Sequence, residues 1–222
     1  MELQQHKQNS LELSPQLVTM MTTEHYTLQA AQAQEISDIN GRMSLFIGAV
    51  SSTLIALAFI GQISNLGTAF FVFSLVLFPS LWFMGLVTFE RVIQNTYAVI
   101  VYARGINRIR HLYVEYAPQM QPYFILSSHD DTESVVGSVG LRASWWQIFV
   151  IAPGIIAVIN SVILGVFVGL LLNVLFALSL LVCTSAGVVT FLVSVVILQR
   201  YHWKRFKQTE HIPVLFPSAA RR

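Results

Sequence analysis

The sequence predicts an all-α membrane protein: four transmembrane helices in two hairpins, with the second span extended into a cytoplasmic amphipathic helix. Three observations predict it. Residues 43–89 contain no Asp, Glu, Lys, Arg or His, and neither do residues 143–199. All 13 Lys and Arg residues fall in the three remaining segments, 1–42, 90–142 and 200–222. Of the 222 residues, 55% are hydrophobic and 11% charged, with a mean hydropathy of +0.63. An ordinary soluble domain carries roughly 25% charge, so a soluble globular enzyme, a disordered chain and a nucleic-acid-binding tail protein are all disfavoured.

A membrane-spanning helix needs about 20 apolar residues, so each charge-free window fits two spans and a short turn. The first window divides at Gly61-Gln62-Ile63-Ser64-Asn65-Leu66-Gly67, a polar, glycine-bounded turn. This gives spans at 43–62 and 68–88. In the second window Gly165-Val166-Phe167-Val168-Gly169 loosens the helix and Asn173 is the strongly polar residue nearby, giving spans at 146–169 and 175–198. Core helices of a soluble protein would carry a polar stripe; these are apolar all round. Residues 1–42 are mostly polar, which is not the pattern of a cleavable signal peptide.

Four spans place the three basic segments on one side, and the positive-inside rule makes that side cytoplasmic. Both termini and the middle segment are then inside. Trp145 and Trp146 at the start of the third span, and Tyr201 and Trp203 at the end of the fourth, suit the inner interface.

The first segment, 1–42, lacks periodicity over its first 22 residues, which are expected to be mobile. A helix is expected near 23–41, broken at Asn40-Gly41-Arg42 or running on into the first span. The segment 89–142 carries the candidate chemistry. A helix through about residue 117, ended by Pro118, sets Arg104, Arg108, His111 and Glu115 on one stripe. Tyr102, Ile106, Ile109, Tyr113 and Tyr116 lie on the other. Unbroken, residues 90–116 would extend about 40 Å, with Gly105 a weak point. In one reading the Tyr/Ile face packs and the charged face meets water. In the other, Arg104, Arg108 and His111 hold an anion, because guanidinium groups one turn apart can grip phosphate or carboxylate.

The remainder, 119–142, reads as a loop, with Gly137-Ser138-Val139-Gly140 as a flexible link. His129-Asp130-Asp131 within it could be acid–base groups or metal ligands. One short cluster gives no ligand spacing, and Asp130 or Ser128 could instead cap a turn or helix. No catalytic residue, metal or cofactor is assigned. The basic tail, 199–222, brings Arg200, Lys204, Arg205 and Lys207 to the membrane edge, where each gains about 1 kcal/mol from anionic lipid headgroups.

Within the spans, Asn160 is expected to hydrogen-bond another helix, and Gly165 and Gly169 form a GxxxG that permits close helix contact. Pro79 and Pro153-Gly154 should kink their helices. No carboxylate, His or Lys/Arg lies inside a span, which argues against proton-coupled transporters and voltage sensors. The lone Cys183 excludes an internal disulfide and reads as packing.

Several phrases resemble an uncharacterised family of bacterial four-span membrane proteins. They are His25-Tyr26-Thr27-Leu28-Gln29, Asn40-Gly41-Arg42, Ala103-Arg104-Gly105-Ile106-Asn107-Arg108-Ile109-Arg110 and His129-Asp130-Asp131. With the span order, the resemblance covers roughly residues 24–200. It implies a bacterial inner membrane and carries over no activity. The expected function is thus a non-enzymatic inner-membrane protein whose cytoplasmic helices mediate self-association or bind a neighbouring-gene partner, with no nucleic acid involved. The alternatives are a signal-gated pore or membrane-perturbing effector, and a membrane enzyme using His129-Asp130-Asp131.

Overall fold

The computed structural model describes residues 14–141, 146–207 and 211–218. Lys7, Arg142, Trp145, Arg221, Arg222 and the start of the expected mobile segment lie outside them. Among the described residues every regular element is a helix, and four helices are long and apolar enough to cross a membrane: α1 (Pro15–Ile63), α2 (Thr68–Tyr116), α5 (Ala152–Phe176) and α6 (Leu180–Lys207). Between α2 and α5 lie a short 3-10 helix (Pro118–Tyr123), α3 (Thr132–Ser138) and α4 (Gln147–Val150).

Helix α1 starts earlier than the expected 23–41 helix. Ser14 accepts a hydrogen bond from the Leu17 N–H at 3.3 Å, and Pro15 occupies the first helical position. Together they make a start signal, because the hydroxyl satisfies an orphan donor and the ring pre-sets φ. The helix then runs unbroken through Asn40-Gly41-Arg42. One internal glycine costs only about 1 kcal/mol relative to alanine, too little to stop a helix with apolar turns on both sides. The same holds for Gly105, and α2 also continues through Pro79.

The turn between α1 and α2 falls at Ser64–Gly67, with Asn65 at φ 46° and Leu66 at φ 56°. The Leu66 N–H closes back on the Gly61 carbonyl at 2.9 Å.

The second charge-free window is organised differently from expectation. The helix expected over 146–169 is Ala152–Phe176, because Pro153 sits in its first turn rather than kinking its middle. The helix expected over 175–198 is Leu180–Lys207. The break between them is at Ala177, a left-handed cap with φ 48° whose N–H bonds the Asn173 carbonyl at 3.0 Å. Alanine takes a position usually given to glycine, so nothing in the sequence punctuates it. Gly165 and Gly169 do not loosen α5; they lie inside it.

The chain divides into two compact units. The first holds residues 1–36, 97–143 and 209–222; the second holds 37–96 and 144–208. The second unit is apolar. Phe46, Leu57, Phe78, Leu81, Phe89, Val92, Ile156, Ala157 and Ile163 form its core. Gly165 and Gly187 bring α5 and α6 into backbone contact: a Cβ at Gly165 would stand 2.7 Å from the Gly187 carbonyl oxygen. Close by, the buried Ser161 and Ser194 hydroxyls share a 2.8 Å hydrogen bond.

In the first unit, Val99, Ile100, Ala103, Ile106, Ile109, Val135 and Val136 are buried. Leu28 of α1 presses on Gly105 of α2, and the Gln32 amide donates to the Val99 carbonyl at 3.4 Å. The expected loop 119–142 contains helical turns, and the expected flexible link is partly the last turn of α3. There the Ser138 hydroxyl donates to the Ser134 carbonyl at 2.8 Å.

Candidate functional site

The first unit concentrates the polar chemistry. Arg104, Asn107, Arg108 and His111 recur every three or four residues on α2, so they line one face of it. The segment 129–131 lies across that face. Asn107 is fully buried and donates to the His129 carbonyl at 2.9 Å and to the Ser138 hydroxyl at 3.1 Å, pinning the segment to the helix. Arg108 Nε then reaches Asp130 Oδ2 at 2.8 Å. The two candidate clusters of the sequence, Arg104/Arg108/His111 and His129/Asp130/Asp131, therefore form a single site. The charged stripe does not simply meet water: Arg104 is 2% exposed.

What covers the stripe is the C-terminal segment Ile212–Ser218. Arg104 Nη1 donates to the Ile212 carbonyl at 3.1 Å, and Arg108 Nη2 to the Pro213 carbonyl at 2.5 Å. Asp130 accepts the Leu215 N–H at 3.0 Å and the Phe216 N–H at 2.8 Å. Its own N–H donates to the Phe216 carbonyl at 3.1 Å. Asp131 accepts the Ser218 N–H at 3.0 Å. The Phe216 ring stacks on His111 with centroids 4.0 Å apart, and the His129 ring lies 6.1 Å from His111.

Asp131, rather than Asp130 or Ser128, caps the following helix: it accepts the Ser134 N–H at 3.1 Å and the Ser134 hydroxyl at 3.0 Å. Both carboxylates are buried, at 0% and 1% exposure. Burial pushes each carboxyl up. For Asp130 the Leu215 and Phe216 amides and the Arg108 guanidinium outweigh it, and for Asp131 the amides and hydroxyls of Ser134 and Ser218 do. Both end below the ordinary carboxylate value. Among the described residues no group of three or more metal-ligating side chains occurs.

Asn107, Ser134, Ser138 and Phe216 belong to this site and were not singled out in the sequence. The spacing of Asn107 from Arg104 and Arg108 was a usable signal. The backbone groups of Ile212–Ser218 left none.

The other sequence candidates lie in the second unit. Asn160 is fully buried, but its amide finds no hydrogen-bond partner among the described residues. Instead of bonding another helix, it fills the space left by Gly85 of α2, where a Cβ would overlap it. Gly169 faces the Cys183 carbonyl, 3.1 Å from where its Cβ would be. Of the basic residues at the end of α6, Arg205 pairs with Glu90 at 2.7 Å, and the Tyr201 hydroxyl donates to the same carboxylate at 2.8 Å. Lys207 lies 5.6 Å from the Trp203 ring centre. Arg200 and Lys204 are exposed.

No protein-family model, curated protein or solved structure matches the chain.

Proposed function

We propose that this chain is a non-enzymatic integral protein of a bacterial inner membrane that associates with a second copy of itself. In this reading its four spans form two hairpins, both termini are cytoplasmic, and the part of α2 beyond the bilayer is an amphipathic extension. The bacterial inner membrane rests on the resemblance over residues 24–200, and the orientation on the confinement of Lys and Arg to three segments.

One observation supports self-association above the rest. On α1, Ser44, Gly48 and Ser52 repeat at four-residue spacing and are all exposed, on the side away from the buried Phe46 and Leu57. A Cβ on Gly48 would meet nothing within 4 Å. The exposed apolar residues of α2 and α6 are bulky by contrast, among them Phe73, Val76, Phe83, Val189, Leu192 and Val196. Lipid tails solvate bulky side chains well, whereas small ones let a second helix approach closely enough for backbone contact. Gly165 of α5 and Gly187 of α6 already face each other, whereas the run on α1 is open to a second copy.

The non-enzymatic part draws on Asp130 and Asp131, whose oxygens are engaged by amides, a hydroxyl and Arg108. Such carboxylates are poorly placed to exchange protons with a substrate.

The test is the mass of the protein after mild solubilisation, with cross-linking in vesicles at several lipid ratios. A dimer or larger oligomer is expected, with Gly48→Ile shifting it to monomer. A wild-type chain that stays monomeric at every ratio overturns the reading.

A further inference from the structure

The way Ile212–Ser218 is held differs from ordinary core packing. Its side chains contribute little: Leu215 is 56% exposed and Val214 37%, and Pro213 and Pro217 are exposed too. The grip is on the backbone. Arginines take the carbonyls of Ile212 and Pro213, and carboxylates take the amides of Leu215, Phe216 and Ser218. Two side chains add to it: the Phe216 ring stacks on His111, and the Ser218 hydroxyl bonds Asp131. The two prolines have no N–H to satisfy and hold φ near −65°, so the segment loses less entropy on binding than an unrestricted one would.

We infer that Arg104, Arg108, His111, Asp130 and Asp131 form a recognition site for a short Pro-containing peptide held by its backbone, occupied here by the chain's own C-terminal segment as a releasable ligand. The peptide it takes has the form apolar-Pro-x-apolar-aromatic-Pro-Ser, as in Ile212-Pro213-Val214-Leu215-Phe216-Pro217-Ser218. The charges explain both halves of this statement. Buried carboxylates are costly without donors, so the site requires an occupant with free amides at the right spacing. Arg108 and Asp130 also pair with each other at 2.8 Å, a contact that does not involve the segment. Tethering raises the local concentration of the segment, so a competing peptide meets a closed site until the tether is cut or the segment is displaced.

The experiment uses the full chain with a protease site in place of Gln208–Glu210, cut after folding. The probe is a labelled peptide of residues 211–218. Saturable binding to the cut chain is expected, weaker on the uncut chain by roughly 100-fold or more. Phe216→Ala in the peptide should weaken binding about tenfold. Asp130→Asn in the chain should abolish it. A peptide N-methylated at Phe216, which removes the donor while leaving the protein untouched, should also fail to bind. A cut chain that keeps its helix content but binds no peptide overturns the proposal. So does equal affinity for cut and uncut chains, or undiminished binding of the N-methylated peptide. None of these readouts depends on whether the protein self-associates.

Discussion

The two units solve the same problem, holding helices in place, with opposite chemistry. In the second unit contact comes from removing side chains: Gly165 and Gly187 let α5 and α6 touch through their backbones, and a single hydroxyl pair, Ser161–Ser194, adds a polar link. In the first unit contact comes from adding charge: Arg108 pairs with Asp130, and Arg104, Arg108, Asp130 and Asp131 all hold the backbone of a distant segment. Where the surroundings are apolar on every side, burying another apolar group gains nothing, and close van der Waals approach decides. Where water competes, saturated hydrogen bonds to buried charges fix one arrangement and penalise its loss. The two units should therefore fail for different reasons.

The largest effect is expected at the hub of the first unit. Asp130→Ala leaves the Arg108 Nε and two amides without their acceptor, and stranding such donors costs about 1–3 kcal/mol for each group. Hydrogen exchange at Leu215, Phe216 and Ser218 should accelerate while exchange across α5 and α6 does not. Unchanged protection at Phe216 would show that the carboxylate is not the hub.

Acid should act next, through the two buried carboxylates of the first unit. Asp130 and Asp131 sit below the ordinary value of 3.8. Their contribution is therefore complete above that value and is lost as pH falls through their lower folded values. Exchange profiles taken down a pH series should show the clasp on residues 212–218 weakening only below about pH 4. A loss already evident at pH 6 would mean that another group governs the segment.

The second unit should respond to shape. Gly187→Leu places a side chain where a Cβ alone would be 2.8 Å from the Gly165 carbonyl oxygen, and overpacking of this kind costs about 1–3 kcal/mol. Thermal melting in detergent should drop without any new pH dependence. A wild-type melt would place the α5–α6 contact elsewhere. The smallest effect is expected for Ser161→Ala, about 0.6 kcal/mol by comparison with hydrogen bonds between membrane helices. A loss several times larger would mean that polar contacts dominate this unit too, and would erase the distinction between the units.

The four apolar helices are readable from residue order alone, because a helix closes its backbone hydrogen bonds within its own segment and a charge-free window of sufficient length needs no partner to declare itself. The residue types at Arg104, Arg108 and His129-Asp130-Asp131 were marked there too, whereas the Ser14-Pro15 start of α1 fell in a stretch expected to be mobile. Other features depend on contacts between distant stretches. The α5–α6 break fell at Ala177 because the contact of Gly165 and Gly169 with α6 keeps both inside the helix. The clasp on Ile212–Ser218 joins stretches 80 or more residues apart through main-chain amides and carbonyls. Every residue but proline carries both groups, so no residue type marks which of them will be held.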